Sequence, residues 1–160
     1  MKLTIELVPI SSWYSNVRSA VSKEVWDIIR KKCYKLADNV CEICGDTGFN
    51  QDTNHRVECH EIFDYDDEKH IQKLVGFIAL CPYCHLCKHT GFAQIKGKQN
   101  IVAKQLIKVN SMSEEELEEY YISVYKQWRK RSEHSWKVDV SYIQEYINDP
   151  KQEVTEPPIF

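Results

Sequence analysis

Two Cys-x-x-Cys pairs, Cys41-Glu-Ile-Cys44 and Cys81-Pro-Tyr-Cys84, constrain this chain more than any other feature. Two thiolates three positions apart face one ion when the backbone turns between them, and two such knuckles complete a tetrahedral S4 set, the usual structural zinc site. The 36 residues between the pairs exceed the roughly 15–20 of a compact zinc ribbon. A substructure is therefore inserted between the knuckles. Seven cysteines, an odd number, leave at least one thiol over in any disulfide scheme. No apolar run reaches the ~18 residues of a membrane span, and the start MKLTIELVPISS lacks a basic segment followed by an unbroken apolar one. A cytoplasmic chain with reduced thiols and a metal, and no membrane partner, is the expectation.

The chain has 160 residues, 42% hydrophobic and 28% charged, with five Gly and five Pro. That excludes disorder and collagen-like repeats for the chain as a whole. Net charge is −3, so nucleic-acid binding would need a local basic patch.

Along the chain, Leu3, Ile5 and Leu7 alternate in a strand pattern that Pro9 ends. Ser22 caps a helix with an apolar stripe through Val25, Ile28, Ile29, Cys33 and Leu36, ended by Asp38 and Asn39. Arg56–Phe63 is β-like, Phe63–His70 is acidic and turn-prone, and Leu74–Leu80 suits a buried strand or a helix tail. Pro82 opens a short helix, Tyr83–His89, that Gly91 would stop. Gln99–Val109 is helical. Ser113 and Glu116 form a capping box for a helix reaching about Ser132, glutamate-rich at its start and basic at its end. Its inward stripe is Leu117, Tyr121, Val124 and Trp128. Ser141 caps a last short helix to Asn148, and a flexible tail occupies 150–160. The expected organisation is one domain over 1–149. It comprises an N-terminal strand and helix (1–40), a zinc centre (41–91) and C-terminal helices (92–149). The fold class is α+β: a small ββα zinc centre wrapped by helices.

A second constellation lies within and after the insert. His85 and His89 share a helix face by their four-residue spacing. His60, 25 residues before His85, ends the β-like stretch. Three imidazoles on one point would bind a second divalent ion that polarises phosphate or activates water. Imidazole ligands favour Zn, Ni or Mn over Mg. The other reading of His85 and His89 is structural, around the knuckle. His55 and His70 read as surface residues, and His134 has no partner pattern. Cys33 reads as core. Cys87 points either to the core or to the metal. Cys59 faces away from its strand neighbour His60.

The segments CEIC, VECHEI and GFIALCPYCHLCKH resemble the zinc-stapled HNH (ββα-metal) endonuclease family. The resemblance to the general motif covers Cys41–Gly91, and a looser similarity to a group of bacterial and phage HNH endonuclease-like proteins extends through the N-terminal ELVPISSWYSNVRS and the C-terminal WRKRSEHSWKVDVSYIQEY. The likeness implies a structural zinc on Cys41, Cys44, Cys81 and Cys84. It also implies a catalytic divalent ion, usually Mg, and phosphodiester cleavage of DNA or RNA. His60 falls on a ligand position, Glu61 on the family's base histidine, Gly76 on its asparagine, and His85 on its helix histidine. His89 matches the second helix histidine of the colicin-type branch. The implied catalytic set is His60, Glu61, His85 and His89. Lys88 would touch a phosphate, and Lys96 and Lys98 begin a basic ridge that Lys104 and Lys108 continue. The rival account is a catalytically degenerate zinc-scaffolded binding protein for a protein partner or nucleic acid, including a phage anti-defence or regulatory factor. Acidic balance favours a protein partner; the lysine ridge favours nucleic acid.

Overall fold

The computed structural model describes residues 2–13, 16–49, 51 and 56–149. His55 and the expected tail at 150–160 lie outside them. The architecture is α+β, as the alternation of strand and helix patterns requires. Among the described residues it comprises helices α1 (Val17–Ala20), α2 (Lys23–Leu36), α3 (Pro82–Lys88), α4 (Thr90–Ile95), α5 (Gln99–Asn110), α6 (Glu114–Ser132) and α7 (Tyr142–Asn148). The strands are β1 (Glu58–Asp66), β2 (Ile71–Leu80) and β3 (Lys137–Asp139). None of these helices is long and apolar enough to cross a membrane.

The insert between the knuckles is a β-hairpin. β1 and β2 pair antiparallel, with His60 opposite Ile78 and a register shift at Ile62/Phe63. The acidic stretch splits. Its first half completes β1 and its second half, Asp67–His70, is the turn. Asp66 Oδ1 accepts from the Glu68 and Lys69 amides at 3.1 and 2.9 Å, which tightens that turn. Leu74–Leu80 belongs to β2. The third strand runs parallel to β2, Gln72 facing Val138. Three residues carry too little alternation to be read from sequence.

Alternation along β1 sorts its side chains onto two faces. Cys59 and Glu61 face α1 and α2, on the side where Phe77 and Tyr146 of α7 meet with ring centroids 4.8 Å apart. Glu58 and His60 face α3. Behind α3 lie α4, α5 and α6, with Leu106 and Val102 fully buried between them.

The expected N-terminal strand does not form. Residues 2–6 alternate in burial as the sequence suggests, with Leu3 and Ile5 buried, but among the described residues no strand pairs with them. Side chains take the place of a β ladder. Asn110 Oδ1 accepts from the Lys2 and Leu3 amides, Tyr120 Oη from Ile5, and Trp128 Nε1 donates to the Val8 carbonyl. These partners come from α5 and α6, so the two helices hold the segment against the core. Gly91 does not stop a helix either. It is the second residue of α4, and the break falls at His89, whose dihedrals (φ −115°, ψ 52°) leave the helical region.

The limits of α2 and the start of α6 are as read, whereas the Ser141 cap is not. Ser22 Oγ accepts from the Val25 amide, and Asp38 and Asn39 end α2 in left-handed backbone (φ 50° and 56°), a conformation these side chains tolerate. Ser141 makes no side-chain cap; Asp139 Oδ1 instead accepts from the Ser141 amide at 2.9 Å. Along α6, Leu117 is buried while Tyr121, Val124 and Trp128 are half-buried. Both halves of its capping box form: Glu116 N donates to Ser113 Oγ at 3.1 Å, and Ser113 N to Glu116 Oε2 at 2.7 Å. Ser113→Ala is expected to lower stability by about 1 kcal/mol in urea unfolding, without changing the m-value. An unchanged midpoint would show that α6 is held by packing alone.

Candidate metal centres

Two clusters of ligand-type side chains flank α3. The first is Cys41, Cys44, Cys81 and Cys84, with all four sulfurs within 4.8 Å of one another and Cys44 Sγ 3.5 Å from Cys81 Sγ. The first knuckle closes through Gly45 N to Cys41 O and Cys41 N to Asp46 O, both 2.9 Å. Gly45 takes φ 76°, which glycine adopts without a side-chain penalty. Glu42 docks this knuckle on the end of β2, its amide donating to Ala79 O at 3.0 Å and its Oε2 accepting from Ala79 N at 2.7 Å. In the second knuckle Cys81 is the N-cap of α3 and Pro82 its first residue. Buried Gln105 sends Nε2 to Cys84 Sγ at 3.1 Å.

The four thiols cannot all ionise on their own. Hydrogen bonds from Cys81 and then Cys84 draw Cys41 far below a normal thiol. The same contacts push Cys81 up to about 12, chiefly through Cys41, and drive Cys84 higher still. A bound dication removes that conflict, since thiolates are its ligands. The cluster fits a structural metal such as zinc.

The other three cysteines stay out. Cys87 is buried against α5, its Sγ 3.7 Å from the Val102 carbonyl, and burial pushes it up to about 12. Cys33 and Cys59 are buried on the opposite face of the sheet, where contact with Cys33 raises the Cys59 thiol.

The second cluster is His60, His85 and His89, with one ring nitrogen from each within 4.8 Å of the others. Ring centroids lie 4.6–5.2 Å apart, and the planes cross at 71–85°. His89 Nε2 is 3.1 Å from His85 Nε2. Metal–imidazole bonds of ~2.0–2.1 Å are within small rotamer changes of this arrangement. His60 is buried, and its Nδ1 has no hydrogen-bond partner among the described residues. An orphaned buried nitrogen is costly unless something binds it. His89 is open to solvent on one side, and the packing around its ring together with the neighbouring His85 and His60 rings lowers its pKa toward the neutral form. Neutral imidazole is the metal-binding form. The donor set fits a divalent ion.

Two carboxylates that the sequence did not single out complete this site. Glu6 Oε2 meets His60 Nε2 at 3.1 Å, and Glu58 Oε2 meets His85 Nδ1. Carboxylates on the far nitrogens of ligating histidines fix their orientation. Burial acts to raise the Glu6 carboxyl, but His60 and Lys88 outweigh it and leave it below its usual value. Glu58 could have been found from the strand period, two residues before His60 on the same face. Glu6 carries no such signal, because it arrives from the N-terminal segment.

The remaining expected site residues are placed differently. Glu61 is not with the histidines. It faces the other side of β1, where its Oε1 accepts from the Val17 amide at 3.2 Å and tethers the start of α1. Lys88 is buried and unavailable to phosphate, its Nζ bound to Glu6 Oε1 at 2.6 Å and Thr4 Oγ1 at 2.8 Å. Lys96, Lys98, Lys104 and Lys108 are exposed. Gly76 lies opposite Ile62 in the hairpin. His134 does have a partner: its ring stacks on His70 at 4.1 Å, the planes within 16°.

No family model, no curated protein and no solved structure matches the chain.

Cys44→Ser is expected to lose the sulfur-bound metal and the cooperative melt together, whereas Cys87→Ser keeps the metal. Elemental analysis and thermal unfolding check both. A Cys44→Ser protein with wild-type metal content and melting temperature would contradict the assignment.

Proposed function

We propose that this protein is a metal-dependent, HNH-like endonuclease that cleaves phosphodiester bonds of DNA. The observation that carries the reading is the convergence of His60, His85 and His89 beside a separate four-cysteine cluster. In this reading Cys41, Cys44, Cys81 and Cys84 hold a structural zinc in a reducing cytoplasm. His60, His85 and His89 hold the second divalent ion, and three imidazoles favour Zn, Ni or Mn over Mg. Bound there, that ion would supply Lewis-acid stabilisation of charge on the scissile phosphate and leaving oxygen.

The chain's own residues do the rest. Glu6 holds His60, and Lys88 holds Glu6, so the least exposed ligand is fixed through a relay of two side chains. Glu58 orients His85. Its side chain is 38% exposed and borders the groove beside the histidines, so Glu58 also accepts the proton of the attacking water. Glu61 takes no part in the chemistry. A carboxylate is a weaker base at neutral pH than a histidine, so cleavage is slow.

Elemental analysis of the purified protein is expected to give two metals per chain, and His89→Ala one. Cleavage of a labelled DNA, followed on denaturing gels, should require added divalent ion and vanish in His89→Ala. Glu61→Gln should cut as the parent does. A single metal per chain that His89→Ala leaves unchanged, with no cleavage by the parent, would overturn the proposal in favour of a zinc-scaffolded binding protein.

A further inference from the structure

A cavity of about 470 Å³ opens beside His85 and His89, within the size range of small-ligand pockets. Its walls are largely apolar and partly aromatic, with Pro82, Tyr83, Leu86, Phe92 and Ile101, and the Glu58 carboxylate stands with the histidines at its edge. Phe92 is 55% exposed, an unusual state for a large apolar ring in a built cavity. Lys98 lines the same cavity, and Lys96 Nζ lies 5.6 Å from the Phe92 ring centroid. Two cations therefore stand at an aromatic wall, and the imidazole cluster adjoins it. The combination asks for a ligand with a flat, apolar body and an anionic group on each side of it.

We infer that this cavity receives an unpaired nucleobase, so that the substrate is single-stranded or locally unpaired nucleic acid. The inference rests on the nuclease reading and names its substrate class. The base stacks against Phe92 between the apolar walls. One flanking phosphate lies toward the histidines, and Lys98 pairs with a phosphate on the other side. Stacking on aromatic side chains is tolerant of base identity, and with a cationic track it is the common mode of single-strand binding. A base inside an intact duplex cannot enter such a cavity without leaving its stack. The overall charge of −3 agrees with a short contact rather than a long electrostatic footprint.

Anisotropy of a fluorescein-labelled 12-nucleotide DNA tests this, titrated with the full-length protein and no added divalent ion. Gel analysis afterwards checks that the probe is intact. The single strand is expected to bind more tightly than its duplex. Phe92→Ala, an exposed substitution that leaves the fold alone, should weaken single-strand binding roughly 5- to 100-fold, the loss of about one stacked base. Lys98→Ala should lower the salt slope by about one. Equal or tighter duplex binding, or a Phe92→Ala protein with parental affinity, would overturn the inference. Cleavage of the same strand is scored separately: binding that depends on Phe92 without cleavage would contradict the nuclease reading and leave the base-binding cavity standing.

Discussion

Four sulfurs meeting at the N-terminus of α3 are the constraint on which the rest of this molecule depends. α3 has seven residues, too short to be stable by its own hydrogen bonds. It is fixed at its first turn by Cys81 and Cys84 and tied through them to the knuckle of Cys41 and Cys44. Metal capture by such a set is worth on the order of 10 kcal/mol in small zinc peptides, comparable with the whole stability of a typical domain. The hairpin inserted between the knuckles is consequently clamped at both ends. Glu42 holds the start of the insert against Ala79 at its finish.

That clamp has a second consequence along α3. Cys84 faces the sulfur cluster and Cys87 the α5 core, while His85 and Lys88 turn toward β1 and the N-terminal segment. One short helix serves a structural site, a core and a candidate reactive site at once. Lys88 and His60 then recruit Glu6 from residues otherwise held by Asn110, Tyr120 and Trp128. The ion pair of Lys88 and Glu6 is buried on the lysine side. Removing either partner would strand a charge, which costs far more than an exposed pair is worth. The N-terminal segment is thus part of the site, although it has no strand to belong to.

What was legible in the sequence was whatever local geometry encodes. A Cys-x-x-Cys spacing specifies a turn, a four-residue interval specifies a helix face, and Ser113 with Glu116 specifies a helix start. Those rules gave both clusters, the α+β class and the limits of α6. Strand alternation carried more than was read from it. It puts Glu58 beside His60 and turns Glu61 away, which leaves the family-derived base on the wrong face. The remainder was invisible for a physical reason. Glu6 and His60, His70 and His134, and the side-chain rungs under residues 2–8 are contacts 54 to 120 residues apart, set by tertiary packing rather than by any period. β3 and Lys88 belong with them: one strand is too short to alternate, and one lysine is buried only because a distant carboxylate meets it.

The most direct test of a sulfur clamp that organises a separate imidazole site is X-ray absorption at the zinc edge during stepwise loading of the apo protein. The first equivalent should give a pure sulfur shell at ~2.3 Å, and the second should add a nitrogen or oxygen shell at ~2.0–2.1 Å. A first equivalent with mixed sulfur and nitrogen ligation, or a second that finds no ordered shell, would contradict two independent sites flanking α3.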